Sequence, residues 1–199
     1  MEIIMIRHFQ TPGNIEKRYI GRTDEPLADL KGREQLIRER QDFCRDAEQV
    51  IISPMKRCIQ TAACIFPDKT PVLCEKMREC DFGLFEMKRY EELKEIPAYQ
   101  EWLESNGTIA FPEGEDPELF KQRCVEGFCE CVDRLISEGV KKAAMVVHGG
   151  TIMAVLSRID EEKREFYHWQ PENGGGYRVV LNEEAWRQGS RVSGEIEKL

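Results

Sequence analysis

The stretch Glu2-Ile3-Ile4-Met5-Ile6-Arg7-His8 sets four apolar residues directly before a guanidinium and an imidazole. An apolar run this short and this rich in β-branched side chains reads as a buried strand rather than a helix. A second apolar run, Ala143 to Val147, ends in the same way at His148-Gly149-Gly150. If the two runs are neighbours in one sheet, their ends bring two imidazoles and at least one guanidinium into a single pocket. Such a pocket suits a phosphoryl group.

Between these runs, strand and helix patterns alternate. The charged stretch Lys31 to Phe43 offers Leu36, Ile37 and Phe43 to a core as a helix, and Val50-Ile51-Ile52 is a second strand. Ser53-Pro54 reads as an N-cap followed by proline in the first helical position, with Cys58, Ile59, Ala62 and Phe66 as the buried stripe of the helix. Pro71 to Leu73 is a third strand. From about 84 to 115 strand character is lost, and Tyr90, Leu93, Tyr99, Trp102 and Leu103 fall in short helical patterns, as in an insertion over the sheet edge. Asp116-Pro117 repeats the cap-plus-proline start ahead of Phe120, Cys124, Phe128, Cys131, Val132 and Leu135, the longest amphipathic pattern in the chain. Gly149 to Val155 is a short helix. Tyr177 to Leu181 and Arg191 to Ile196, around a turn at Trp186 to Ser190, predict a closing hairpin. The expectation is one α/β domain over 1–199, with a largely parallel sheet covered by helices on both faces and its binding side at the strand carboxyl ends.

Composition narrows the partners. A formal charge of −8 argues against nucleic acid or an anionic membrane, which select for clustered Lys and Arg. No apolar stretch approaches the roughly 18 residues of a membrane span, and Glu2 stands where a signal peptide would be basic, so the chain is expected in the cytoplasm. The eight cysteines contain no C-x-x-C pair and read as reduced core thiols rather than as disulfides or a metal framework.

A neutral imidazole can attack phosphorus through one ring nitrogen while an acceptor holds the proton on the other, so His8 can act without metal. The transferring group carries charge on its equatorial oxygens and needs positioned cations, such as Arg7, Arg57 and a second, protonated histidine. Arginine suits this because its planar fork gives phosphate two hydrogen bonds. The helix starts near Pro54 and Gly149 would add their amino-terminal dipoles. A leaving alkoxide also needs a proton from an acid of raised pKa. The residues alone do not choose among the chain's many acids, although Glu79 is one of the few flanked closely by apolar residues and a turn glycine. His168 reads as packing or surface, and Arg18, Arg22 and Lys56 as solvated or salt-bridged.

Ile4 to His8 followed by Thr11 and Asn14 resembles the R-H-G-x-T-x-x-N opening of the histidine phosphatase superfamily, the phosphoglycerate mutase-like proteins. Gly21 to Leu27 with Lys31-Gly32 resembles the family's substrate-side loop, which includes Gly21 and Thr23. Ser53 to Ala62 resembles S-P-x-x-R-x-x-x-T-A, and Glu79 to Gly83 resembles E-x-x-F-G. Pro112 to Glu115 resembles P-x-G-E, and Val147 to Thr151 resembles the late histidine motif. The ordered matches run along nearly the whole chain. The resemblance implies a three-layer sandwich about a central mostly parallel mixed sheet. It also implies that His8 is the nucleophile, that Arg7, Arg57 and His148 clamp the phosphoryl oxygens, and that Asn14 and the backbone near Gly149 donate. Glu79 would protonate the leaving group and later activate water.

One departure stands beside the nucleophile: the family glycine after the histidine is Phe9 here. If the position requires a glycine-only conformation, Phe9 distorts the loop; if not, it fills apolar space. Gln10 in place of a common glutamate is milder. The segment between Gly83 and Pro112 is shorter than in the family's mutases, which favours water reaching a phosphohistidine. The expected function is therefore a phosphomonoesterase needing neither metal nor cofactor. Its expected partner is a small phosphorylated metabolite, with α-ribazole phosphate the leading named substrate. A phosphoglycerate mutase and a catalytically impaired phosphate-binding relative are the alternatives. Monomer and homodimer are both open.

Overall fold

The structure, a computed structural model, describes all 199 residues. Six strands form one sheet: β1 (Glu2–Arg7), β2 (Gln49–Ile52), β3 (Val72–Leu73), β4 (Lys142–Val147), β5 (Gly176–Val180) and β6 (Glu195–Lys198), in the order β3-β2-β4-β1-β5-β6. β1 and β2 flank β4 in parallel, β3 runs parallel to β2, and β5 runs antiparallel to both β1 and β6. The sheet is mixed and mostly parallel, and the fold is α/β.

Strand pleating sends successive residues to opposite faces and so builds two cores. Ile3 and Met5, with Ala143, Met145 and Val147, face the larger core; Ile4 and Ile6, with Ala144 and Val146, face the smaller. The larger lies under α6 (Pro117–Ser137), α7 (Gly149–Ile159) and α8 (Glu183–Arg187), and it takes in Leu93, Tyr99 and Phe111 of the 84–115 segment. That segment holds the short helices α4 (Tyr90–Leu93) and α5 (Pro97–Glu104). The smaller core lies under α3 (Lys56–Ile65), with Leu36 and Ile37 of α2 (Glu34–Phe43) packed against it. Chain leaving β4 thus goes to one face, and chain leaving β1 and β2 to the other. The layers part at the carboxyl end of β4, where an open α/β sheet forms its crevice.

Several boundaries differ from the expected ones. α3 begins at Lys56, with Met55 as cap, so Ser53 and Pro54 are not its start. Its buried face carries Arg57, Cys58, Thr61, Ala62 and Ile65, whereas Ile59 is exposed. α2 begins at Glu34 rather than Lys31, because Leu30 to Arg33 form a turn, and Phe43 at its end is partly exposed. Between β1 and α2, Pro12–Ile15 form one helical turn, α1. α7 runs four residues past Val155, because Leu156 and Ile159 continue its apolar face. The tail strands pair, but the second is Glu195–Lys198 rather than Arg191 to Ile196, and α8 stands between them and buries Trp186. The cap at Asp116 is as read, its carboxylate accepting from the N–H groups of Glu118 at 2.8 Å and Leu119 at 3.1 Å.

Candidate active site

His8 leaves β1 with its backbone N–H on the Val147 carbonyl, so the two strand ends are tied together. Its Nδ1 lies 2.7 Å from the Phe9 carbonyl oxygen. A carbonyl can only accept, so the proton sits on Nδ1 and the Nε2 lone pair is left for chemistry. Burial, then the charges of Arg57 and Arg7, hold the imidazole well below its ordinary pKa, against the opposing effect of the Phe9 bond. The ring is therefore neutral at pH 7.

Phe9 fits its position. Its backbone is not in the left-handed region, its N–H donates to Thr61 Oγ1 at 2.9 Å, and its ring is 2% exposed in the smaller core. The ring lies against Gly174, where a Cβ would stand 2.8 Å from a ring carbon and φ is +78°. Glycine meets both constraints, so the space a larger side chain takes after His8 is matched by a missing one at 174. Of the two outcomes open at this position, Phe9 takes the one that fills apolar space.

Arg7 donates through Nη1 to the Pro171 carbonyl at 2.9 Å, while its buried Nε has no partner. It packs against Gly149, where a Cβ would come within 3.3 Å of Nε. Arg57 is fully buried on the first turn of α3. It donates from Nη2 to the Gly21 carbonyl and from Nη1 to the Thr23 carbonyl, each at 2.8 Å, and from Nε to His148 Nδ1 at 3.2 Å. One N–H on each terminal nitrogen remains for an oxyanion.

The His148 ring centre lies 5.3 Å from that of His8. Because Arg57 can only donate, His148 Nδ1 accepts, and the proton on Nε2 points to Ser53 Oγ at 2.7 Å. His148 is accordingly neutral here rather than the protonated cation expected for a clamp. Burial, Arg57 and His8 all hold its pKa well below the ordinary value.

Glu79 reaches the same place from the segment after β3. Its Oε1 accepts from the Cys80 N–H and its Oε2 from the Gly150 N–H, each at 3.0 Å. A side chain at Gly150 would collide with the carboxylate. Burial raises the Glu79 pKa, partly opposed by these two N–H groups and by Arg57 and Arg7. Beside it opens a cleft of about 420 Å³ lined by Gly21, Arg22, Glu75, Arg78, Asp81 and Arg123 among others, with Met55 the one apolar side chain. Arg123 braces the segment by donating to the carbonyls of Lys76, Arg78 and Glu79 and to both oxygens of Glu115.

The structure thus brings Arg7, His8, Arg57, Glu79, His148 and Gly149 together. Asn14 lies close by: its Oδ1 accepts from the Thr11 N–H and from Asn173 Nδ2, leaving Nδ2 as its free donor. Thr11, read as a binding residue, is fully buried, and its hydroxyl caps α1 by accepting from the Asn14 N–H at 3.2 Å. Gly21 and Thr23 also differ from expectation: their N–H groups turn to the Glu86 carboxylate and their carbonyls to Arg57. His168 is exposed, as read, against Trp169. Sequence reasoning passed over Ser53, Asn173 and Glu86. Ser53 reads in sequence as a helix cap, and the other two reach the site through bonds to residues 63 or more positions away.

Comparisons with known proteins bear on the family and the fold. A model of the histidine phosphatase superfamily, branch 1, matches residues 3–191. A Bacillus subtilis protein named phosphatase PhoE, itself uncharacterized, is 27% identical over 190 residues, which cover 93% of this chain and 91% of that protein. The α-ribazole phosphatase of Shigella flexneri superimposes with a TM-score of 0.74 at 21% identity, covering 97% of this chain and 93% of that one. A phosphoglycerate mutase from Bacillus anthracis superimposes with a TM-score of 0.78 at 20% identity, covering 100% and 92%. At these identities the two structures show a shared fold.

Proposed function

The chain belongs to the histidine phosphatase superfamily, and from that premise we propose that it hydrolyses small phosphomonoesters through a phosphohistidine at His8, without metal. The observation that carries this reading is the free Nε2 of a neutral His8 beside the buried guanidinium of Arg57 and the half-buried one of Arg7, with the raised carboxyl of Glu79 close by.

His8 Nε2 attacks phosphorus and the P–O ester bond breaks, its electron pair leaving on the alkoxide oxygen. Glu79, protonated, gives that oxygen its proton. Arg7 Nε, the two free N–H groups of Arg57 and Asn14 Nδ2 hold the equatorial oxygens. His148 braces Arg57 and keeps its orientation. In the second half, Glu79 takes a proton from water, the water oxygen bonds to phosphorus and the P–N bond breaks. Phosphate leaves and His8 is restored.

The open polar cleft supports hydrolysis over transfer back to a substrate, because water can reach the phosphoenzyme. Its lining also bears on the substrate. Paired donors and acceptors, Arg22 with Asp81 and Arg78 with Glu75, suit hydroxyl groups, which both donate and accept. A leaving group that is hydroxylated next to the phosphate fits. α-Ribazole phosphate meets this through its ribose but would have to place its apolar base beyond the cleft.

Release of phosphate from p-nitrophenyl phosphate is expected in the presence of chelator and is expected to vanish in His8→Ala, with an acid-labile phosphoprotein trapped from the wild type. Unchanged turnover in His8→Ala would sink the reading. Interconversion of phosphoglycerates faster than their hydrolysis would replace it with a mutase.

A further inference from the structure

We propose that Glu86 is a positioning residue of the phosphoryl clamp, acting through the three-residue loop Gly21 to Thr23; this rests on the reading of Arg57 as a holder of phosphoryl oxygens.

Glu86 follows the helical turn Gly83–Phe85, and its carboxylate gathers every N–H of the loop. It accepts from Gly21 at 3.0 Å, from Arg22 at 2.9 Å and from Thr23 at 3.4 Å, and also from the Thr23 hydroxyl at 2.7 Å. Its Oε1 accepts from the Phe82 N–H as well, at 3.2 Å, which ties it back to its own turn. Successive N–H groups turned to one point form a nest for an anion, and here the protein supplies the anion itself. With the Arg22 N–H drawn to Glu86, the Gly21 carbonyl in the same peptide plane faces the other way, and the Thr23 carbonyl lies on that side with it. There they receive the two terminal nitrogens of Arg57, each at 2.8 Å.

Arg57 therefore has its plane set by the loop on one edge and by His148 on the other. The N–H groups it keeps for an oxyanion point where those bonds leave them. The loop has little freedom of its own, because a side chain at Gly21 would collide with the Cys80 carbonyl beside Glu79. Gly21 and Arg22 also wall the leaving-group cleft. One carboxylate outside the clamp thus sets both the aim of Arg57 and one wall of the cleft. Without it, three N–H groups lose their acceptor and the loop turns to find others, taking its carbonyls from Arg57.

The test is the affinity for orthovanadate, measured by titration calorimetry on wild type, Glu86→Ala and Glu86→Gln, with circular dichroism to show that each is folded. Vanadate affinity is expected to fall tenfold or more in Glu86→Ala and less in Glu86→Gln, which keeps one acceptor oxygen. For p-nitrophenyl phosphate kcat is expected to fall along with a rise in KM, because the same guanidinium serves ground state and transition state. If Glu86→Ala does not fold, Glu86→Gln decides alone. Wild-type vanadate affinity in the folded variants overturns the proposal, whatever the change in melting temperature. A wild type that binds vanadate but hydrolyses no ester removes the phosphatase reading while the affinities still decide Glu86. A wild type that binds no vanadate removes both.

Discussion

Phe9 and Glu79 show how little of a residue's meaning lies in its type. A phenyl ring beside a nucleophile looks obstructive, yet it is buried in the smaller core against Gly174 and its backbone N–H is taken by Thr61. Restoring the family glycine at this site empties a packed position rather than repairing one. Phe9→Gly is expected to cost about the 3–5 kcal/mol typical of deleting a buried aromatic side chain, read by urea unfolding, with no gain in turnover. For Glu79 the prediction is chemical. Glu79→Gln is expected to lower kcat roughly 100- to 10,000-fold on esters with alkoxide leaving groups, which need the proton. On p-nitrophenyl phosphate, whose phenolate departs unprotonated, the first step should be much less affected. Equal losses of kcat/KM on both substrates would remove Glu79 as the acid, because kcat/KM leaves out the phosphoenzyme hydrolysis that also uses Glu79.

Among the elements, β4 has the decisive place because it lies between β1 and β2. That order sets His8, Ser53 and His148 at adjacent strand ends, and α3 then delivers Arg57 from the opposite layer to α7. α6, with 21 residues, packs against α7 and braces the Glu79 segment through Arg123 near its start. Its stability begins at the Asp116 cap, which satisfies two otherwise unpaired N–H groups. Asp116→Ala is expected to cost about 1 kcal/mol in unfolding free energy and to leave kcat on p-nitrophenyl phosphate near wild type. A large loss of activity at unchanged stability would show that the cap also holds the site.

The molecule as a whole keeps two neutral histidines and two guanidiniums packed together, and this makes its stability depend on pH. Both histidines have folded pKa values well below the unfolded value of 6.5. Between those values the unfolded chain binds protons that the folded chain refuses, so stability falls as pH drops below about 6.5. The slope approaches about 1.4 kcal/mol per pH unit for each histidine. Unfolding free energies measured between pH 7 and 5 should show this fall, and His148→Gln should reduce the slope. A phosphate oxyanion, binding only the folded state, should raise stability by about 2.7 kcal/mol at one hundred times its Kd.

By itself the sequence determined the α/β alternation, the strand ends carrying His8 and His148, the Asp116 cap and, through ordered motifs, the family. These are written in period and spacing, which depend on neighbours a few residues away. Only the tertiary structure decided that Ser53 serves His148 instead of a helix start, that Thr11 caps a turn, and that the Gly21 and Thr23 N–H groups belong to Glu86. It also decided the charge of His148 and the place of Phe9 in the smaller core. Each of these depends on which hydrogen-bond partner or packing space arrives from a distant part of the chain, and a side chain's protonation and orientation follow from that partner rather than from its own identity.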